Sequence, residues 1–394
     1  MYSKYFIKHV TTICKATHVL GTVSFTWVSK KGQYESMGLT NKAKVLFHLI
    51  NLEVYAVALL PSQILAVQKA KKFEEFSFTV ISWMGILMGD VMVGMCFIHA
   101  EEICLVFNGY YTFMWNFQKR YMLNQNVEKW KNNTFMNITI TISTILSASI
   151  SVLFTVNYFI KPRSAAYITA SIPDYLLTPI IYYPVGIKHC IASMGVVLLM
   201  AFLNNHVLSF FFYLRPIYTT ELRLGRSSYM TRDSLRKLEN LTVTWRAMEM
   251  LVNDVNRVFS FSFIPLEVIF TNMTVFGNLI CIMYWHELGM VLKLVIPIVT
   301  IFAALGWGIF LTITGMSWKD TTLTLRSWKL GDVKQKRSRE YLKRFKRSCK
   351  PLLLGYAKGF KIKPKKFLGY LKGISRRTLK TIIGLRKMYM KLHR

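Results

Sequence analysis

The polar residues that could do chemistry in this chain are few and lie inside long apolar stretches. Asp90, His206 and Glu267 each interrupt a run of hydrophobic residues. Ionisable groups in such a setting need partners or water. They are therefore predicted to form either a functional polar layer or interhelical hydrogen bonds without a functional role. Because no two of them share a helix at metal-ligand spacing, a metal site is not expected.

The sequence has no arrangement of residues that indicates an enzyme. It shows no nucleophile–base pair, no phosphate-binding loop and no cluster of metal-ligand residues. Its six cysteines are scattered without CxxC spacing, which suggests neither a zinc site nor a disulfide framework. We therefore predict a protein that is not an enzyme and that needs no cofactor.

The elements that position these residues are six apolar stretches. The chain has 394 residues, of which 53% are hydrophobic and 18% charged, whereas a soluble domain carries about 25% charged residues. A helix crossing the membrane needs about 20 mostly apolar residues, and Lys293 is the only Lys or Arg within the stretches that meet this length. We predict an all-α polytopic membrane protein whose six clear spans are residues 45–67, 78–98, 137–160, 190–213, 259–283 and 288–316.

The positive charge is concentrated outside these spans. The net charge is +32, and residues 341–394 hold 18 Lys and Arg and no acid. The loops on one side of the predicted bundle carry 44 basic residues against 6 on the other side. Because basic loops stay in the cytosol, the N-terminus is predicted to be cytosolic. The excess positive charge is then explained by the orientation of the chain and by contact with the lipid bilayer. A nucleic-acid partner is not expected.

Two segments outside the six spans have helical periodicity. Residues 233–259 have apolar side chains every three or four positions between charged ones, which predicts a cytosolic amphipathic helix running without a break into the fifth span. Residues 367–385 have a similar apolar stripe beside Lys372, Arg376 and Lys380. The cost of burying these cations favours a helix on the cytosolic leaflet, and a weak seventh span is the alternative.

Two parts of the sequence resemble arthropod odorant and gustatory receptors. Residues 251–260 (LVNDVNRVFS) are similar to the segment leading into the fifth helix of the gustatory receptors. Residues 342–352 (LKRFKRSCKPL), 359–362 (GFKI) and 367–371 (FLGYL) resemble the C-terminal end of both receptor groups. The match in topology covers nearly the whole chain, whereas the motifs cover about forty residues.

The resemblance implies a seven-helix, tetrameric, ligand-gated cation channel in the plasma membrane of a sensory neuron, as a homo-tetramer or with a co-receptor subunit. The seventh helix of each subunit would line the pore, and cytosolic extensions would form an anchor. The implied parts are a cytosolic segment (1–44), a six-helix bundle holding the ligand pocket (45–316), a basic anchor segment (317–366), a pore helix (367–385) and a short tail (386–394).

The seventh helix departs from the pattern of this family. The gustatory receptors have Thr-Tyr, five mostly apolar residues and then Gln-Phe. Here Gly369 and Tyr370 are followed by Arg376 and Arg377 at the Gln-Phe positions. Arginines facing the lumen oppose cation flow by like-charge repulsion. They are expected either to face the anchor or the lipid headgroups, or to mark a divergent, non-conducting partner subunit.

Within this framework the sequence offers candidates for a pocket and a gate. A small hydrophobic odorant or tastant suits the aromatic and Met side chains at the outer ends of the spans, and Tyr370, Ile374, Thr378 and Ile382 are candidates for the gate. Asp90, His206 and Glu267 would couple the two. Residues 160–189 are expected to form an outer lid or a spacer. The predicted pocket residues are Trp83, Phe154, Tyr158, Met194, Phe276 and Met283.

Two other functions remain open at this point. A G-protein-coupled receptor would have the opposite orientation, and its Asp-Arg-Tyr and Asn-Pro-x-x-Tyr motifs are not present. A six-span transporter with a basic, lipid-binding tail would have a cytosolic C-terminus and would show saturable flux without channel currents. The location of the C-terminus therefore separates a seven-span channel from a six-span transporter.

Overall fold

The structure is a computed structural model that describes residues 4–124, 126, 134–328, 336–356 and 360–392. Two antiparallel two-stranded sheets accompany the helices: β1 (Phe25–Val28) with β2 (Gln33–Ser36), and β3 (Gly355–Tyr356) with β4 (Phe360–Lys361). The helices are α1 (Lys4–Val19), α2 (Leu39–Val54), α3 (Leu60–Lys69), α4 (Phe73–Ile98), α5 (Ala100–Tyr121), α6 (Thr134–Ile160), α7 (Pro179–Pro216), α8 (Leu238–Met283), α9 (Met290–Ser327), α10 (Lys336–Ser348) and α11 (Lys366–Leu392).

Six helical stretches among the described residues are long and apolar enough to cross a membrane, which confirms the all-α polytopic fold. The first combines α2 and α3 through a π-helical turn at Tyr55–Leu59. Each of the six corresponds to one predicted span. They are Leu39–Lys69, Phe73–Ile98, Asn137–Ile160, Pro179–Glu221, Leu238–Met283 and Met290–Ser327.

The fourth helix begins at Pro179, well before the predicted start at residue 190. Pro179 occupies the first turn, where its fixed φ suits a helix and its missing N–H costs nothing. Pro184 also lies inside the helix, close to this first turn. The predicted start of the fourth span is therefore too late, because Lys188 and His189 lie in the helix and not in the preceding loop.

The fifth helix is continuous from its amphipathic part into its apolar part, as the periodicity predicts. The stripe of the amphipathic part is buried, with Trp245 and Met248 fully enclosed. It is covered by α5, by α10 and by the segment that contains β3. Trp245 meets Trp328 at a ring-centroid distance of 5.3 Å. The segment after the sixth span therefore covers this face.

The N-terminal residues form part of the core. Phe6, Val10 and Cys14 of α1 are buried against α7. The β1–β2 hairpin then packs on α5, and its Tyr34 is almost completely enclosed. The N-terminal segment is therefore an integral layer of the helical bundle.

The last helix, α11, packs along α8 and α9. Lys366 at its start forms an ion pair with Glu267 at 2.9 Å. Phe367 lies so close to Gly308 that a Cβ there would approach its ring to 2.7 Å. The small residue thus allows α9 and α11 to meet closely, and α11 is tied to the same two helices that complete the bundle.

Candidate functional site

A cavity of about 760 Å³ lies between α2, α4, α6 and α7 and is closed on one side by α8 and α9. Small-molecule sites typically have volumes of about 300–1,000 Å³ and mostly apolar walls. The lining residues of α2 recur at every third or fourth position, so one face of this helix lines the cavity. That face consists of Thr40, Ala43, Lys44, Phe47, His48, Asn51, Leu52 and Tyr55. The cavity therefore has the size and walls of a small-molecule site.

One end of the cavity is covered by the loop between α6 and α7, where Ala166 and Ile168 contribute to the wall. Arg163 holds this loop by donating to the backbone carbonyls of Thr169, at 2.7 Å, and of Ile172. Gln63 of α3 donates to the Ser171 hydroxyl at 3.0 Å. The loop is therefore fixed at both ends of its short helical turn, in the position of a lid.

An aromatic cluster supports this lid. The rings of Tyr158 and Tyr182 stack with centroids 5.5 Å apart, and Tyr167 meets His189 edge to face at 4.9 Å. The Tyr167 hydroxyl donates to the Phe154 carbonyl at 3.0 Å. Of these side chains, Phe154 and His189 reach the cavity wall. The cluster thus links the lid to the outer turns of α6 and α7.

The end of α1 and the turn after it contribute to another part of the cavity wall. Val19, Leu20 and Gly21 line the cavity there. Gly21 has a φ of +73°, a conformation that favours glycine. A Cβ at Gly195 of α7 would lie 2.7 Å from the Thr22 methyl group. The chain can therefore turn tightly against α7 only because both positions are glycine.

The cavity wall is apolar with a small number of polar groups. The hydroxyl oxygens of Ser82 and Ser147 and the Nε2 atoms of His48 and His189 are buried without a hydrogen-bond partner in the part of the chain that the structure describes. Buried polar atoms normally have partners. These four atoms are therefore available to a bound molecule.

The six predicted pocket residues are not brought together around this cavity. Phe154 alone lines it. Tyr158 belongs to the aromatic cluster above it, while the indole N–H of Trp83 donates to the Ala56 carbonyl at 2.8 Å. Phe276 packs against Phe76 with centroids 6.2 Å apart. The other two, Met194 and Met283, also lie outside the wall.

The three polar residues predicted as one layer lie in three separate settings. His206 accepts a hydrogen bond at Nε2 from the Tyr34 hydroxyl at 2.9 Å, while its Nδ1 faces the Phe202 carbonyl. Glu267 forms the ion pair with Lys366. Asp90 has a buried carboxylate oxygen without a partner among the described residues. They therefore form no common layer: His206 and Glu267 each link a different pair of elements, and the Asp90 oxygen has no partner among the described residues.

Tyr34 lies in the hairpin, outside the spans, and burial raises the pKa of its phenol well above the ordinary value. It therefore remains a neutral O–H at physiological pH. Because the Phe202 carbonyl can only accept, the proton of a neutral His206 ring lies on Nδ1, and Nε2 accepts from Tyr34. This hydrogen bond joins the N-terminal hairpin to α7.

The predicted gate stripe faces the interior of the chain. Tyr370, Ile374 and Thr378 are buried against α8 and α9, and Ile382 is half-buried. The opposite face of α11 carries exposed Lys372, Arg376 and Lys380 among exposed apolar residues, namely Leu368, Leu371, Leu379 and Ile383. In this conformation the basic face, and not the predicted stripe, is the one turned outward.

No group of His, Cys, Asp and Glu residues within the described ranges could hold a metal ion. The architecture and the apolar cavity define a class: a polytopic helical membrane protein with a small-molecule cavity in its bundle and a C-terminal helix packed outside it. No family model and no curated protein matches the sequence.

Solved structures give the particular fold. The chain is similar to the olfactory receptor OR5 of the insect Machilis hrabei, with a TM-score of 0.68, 11% identity and coverage of 96% of this chain and 97% of the receptor. The same receptor in complex with eugenol matches with a TM-score of 0.65 and 12% identity, over 97% and 98% of the two chains. The chain therefore has the fold of an insect olfactory receptor, which agrees with the resemblance in its motifs.

Proposed function

We propose that this chain is a subunit of a chemosensory, ligand-gated ion channel that small odorant or tastant molecules open. It would act in the plasma membrane with a cytosolic N-terminus, as a homo-tetramer or as a hetero-tetramer with a co-receptor subunit. The receptor of this fold whose structure contains eugenol supports a small hydrophobic ligand. The distribution of basic residues between the loops supports the orientation.

One observation carries the proposal: the cavity and α11 share the same two supporting helices. Phe270 and Met273 of α8 line the cavity, and Glu267, one turn away, holds Lys366 of α11. On α9, Phe302 lines the cavity and Gly308 receives Phe367 of α11. A ligand that displaces these walls would therefore move the helices against which α11 packs, which is the coupling that gating requires.

The pore of such a channel would be built from the α11 helices of four subunits. In the present conformation Tyr370, Ile374 and Thr378 pack on their own bundle. Their proposed role as a gate, with Ile382, therefore requires that α11 turn or slide against α8 and α9 on opening. If α11 keeps its present rotation, the pore wall would instead carry Arg376 and Lys380, and rings of such cations favour anions.

A pair of tryptophan substitutions tests the proposal. Gly85 lines the cavity and Gly306 does not, and a Cβ at either position meets nothing within 4 Å. Both variants should therefore fold. Currents would be recorded from cells that express the chain, alone and with a co-receptor, during application of eugenol and a panel of volatile aromatics and esters.

We expect the compounds to evoke currents. Gly85→Trp should raise the concentration for half-activation by about tenfold or more, whereas Gly306→Trp should leave that concentration unchanged. The reason is that an indole in the cavity competes with the ligand for the same volume. Surface-expressed protein that gives no current with any compound or partner would contradict the proposal. Equal responses of the two variants would exclude this cavity as the ligand site.

A further inference from the structure

Lys188 is a cation at the open side of the apolar cavity, where its side chain and that of Phe47 are exposed. It lies on α7, nine residues after Pro179, and faces the α2 wall. Its Nζ is 3.5 Å from the Asn51 side-chain oxygen and 5.7 Å from the centre of the Phe47 ring. A lysine inside a membrane-crossing helix is costly unless a counter-charge or water accompanies it.

No carboxylate supplies that counter-charge among the described residues, because none of their ion pairs includes Lys188. Other lysines of the chain are paired: Lys161 with Glu74 at 2.9 Å and Lys366 with Glu267 at 2.9 Å. The charged residues of the cavity wall are Lys44 and Lys188, and no Asp or Glu contributes to it. The cavity is therefore positively charged and lacks an acceptor for the ammonium group beyond one amide oxygen.

The surroundings of Lys188 offer further hydrogen-bonding groups on the same side of the cavity. The Asn51 amide nitrogen donates to the Phe47 carbonyl at 2.6 Å, which turns its oxygen toward Lys188. His48 precedes Asn51 by one helical turn, and His189 follows Lys188 in the chain. Both histidines line the cavity with a buried Nε2 that has no partner among the described residues.

The rest of the cavity suits an apolar group. Ile86, Ile150, Val196, Met200 and Phe302 contribute to its wall. We propose that the preferred ligand of this cavity is an amphiphilic carboxylate, whose anionic group binds Lys188 beside the two histidines and whose apolar part lies between α4, α6 and α9. This inference rests on the proposed function and names the class of ligand for the same cavity.

A lipid headgroup is a second source of an anionic oxygen, and the position of Asn51 argues against it. Asn51 is 18 residues from Lys69 and 12 from Leu39, the two ends of the first span. At a rise of 1.5 Å per residue, it lies about 27 Å and about 18 Å from those ends. The contact between Lys188 and Asn51 thus lies in the middle third of this 31-residue helix, and the phosphatidate arm of the test below separates a headgroup from a free carboxylate.

The test is a direct binding measurement on the full-length chain in nanodiscs of phosphatidylcholine at neutral pH. The probes are 3-phenylpropanoic acid, its methyl ester and 3-phenylpropan-1-ol, which share one apolar group and differ in the polar end. We expect the acid to bind at least about tenfold more tightly than the ester, since hydrogen bonds between charged groups are the strong ones.

Lys188→Met should abolish this preference and leave the affinity for the ester unchanged, whereas Lys188→Arg should retain the preference. Lys293→Met is the matched control, because Lys293 lies near Trp285 and outside the cavity wall. It should behave as the unmodified chain. Retained binding of the ester by Lys188→Met shows that this variant is folded.

Four results would overturn the inference. Equal affinities for acid and ester, both reduced by Gly85→Trp, would leave the ligand cavity intact and exclude the carboxylate class. An acid preference that persists in Lys188→Met would place the anion elsewhere. Loss of the preference when phosphatidate is added to the discs would assign Lys188 to a lipid headgroup. Absence of binding by all three probes would contradict this inference, whereas currents evoked by other compounds would still support the proposed function.

Discussion

Asn108 of α5 is predicted to be the residue that holds the N-terminal hairpin in place. Its amide nitrogen donates to the Tyr34 carbonyl at 2.8 Å, and its oxygen accepts from the Tyr34 N–H at 2.8 Å. The side chain thus pairs with β2 as a further strand would. Asn108→Ala removes both partners at once and leaves two backbone groups of an enclosed residue without a hydrogen bond.

The expected cost follows from these two groups. A buried backbone donor or acceptor that loses its partner costs about 1–3 kcal/mol. Water that enters beside the truncated side chain recovers part of this, so we expect a total of about 2–4 kcal/mol for hairpin docking. At 1.4 kcal/mol per factor of ten, the population of undocked hairpin rises by about 30-fold or more.

Hydrogen exchange on the purified full-length chain measures this population directly. In Asn108→Ala, the amides of residues 25–36 should exchange about 30-fold faster or more, and those of α9 should be unchanged. Gln33→Ala is the control, because the Gln33 side-chain amide donates to Glu35 within the same hairpin, at 3.0 Å. Asn108→Asp keeps the acceptor but places a carboxylate against the Tyr34 carbonyl, so it should also loosen the hairpin.

The consequence for ligand binding gives a second measurement. The turn at residues 19–21, which contributes to the cavity wall, connects α1 to this hairpin. Undocking therefore opens this part of the wall, and ligand affinity should fall in Asn108→Ala. The reasoning would be refuted if exchange in residues 25–36 stayed within about threefold of the unmodified chain, because the two hydrogen bonds would then contribute little to docking.

Three further predictions concern α11 and its supports. Glu267→Gln and Lys366→Gln should each shift half-activation by about tenfold, and a double-mutant cycle should show coupling of about 1 kcal/mol or more, since the pair is half-buried; additive effects would contradict this. Gly277→Ala should destabilise the α8–α9 contact by about 1–3 kcal/mol in thermal melts, because its Cβ would lie 2.9 Å from that of Thr300; an unchanged melting temperature would show that α9 can shift. A tag after Arg394 should be reached by antibody on intact cells; staining only after permeabilisation would leave six spans.

The membrane-spanning part of the fold could be predicted from the sequence because its signal is local. About 20 consecutive apolar residues exclude most alternatives to a span, and the amphipathic repeat before residue 259 fixes the continuity of α8. The start of α7 could not be predicted in this way. Lys188 and His189 lower the local hydropathy, although the helix continues through them.

The cavity could not be predicted because it depends on packing between distant segments. Of the Met and aromatic residues that the sequence offers at the predicted outer ends of the spans, Phe154 lines the cavity. These residue types do not indicate the α2 face or the turn at residues 19–21, whose place in the wall depends on how distant segments pack. A periodicity of polar residues at Lys44, His48 and Asn51 was the available signal, since lipid does not favour such a row.

The charge of the chain connects these findings. Its excess of cations lies mostly in the loops that are predicted to be cytosolic, but no acid of the described chain neutralises Lys188 or the outward face of α11. Lys188 lies in a helix long and apolar enough to cross a membrane, where charge is normally avoided. An uncompensated cation in a cavity selects an anionic ligand, and a row of cations at Lys372, Arg376 and Lys380 selects either headgroups or, in the proposed pore, permeating anions. The same sign of charge at the proposed ligand site and on the proposed pore helix therefore makes ion selectivity the sharpest distinction between this chain and the cation channel that the resemblance of its motifs implies.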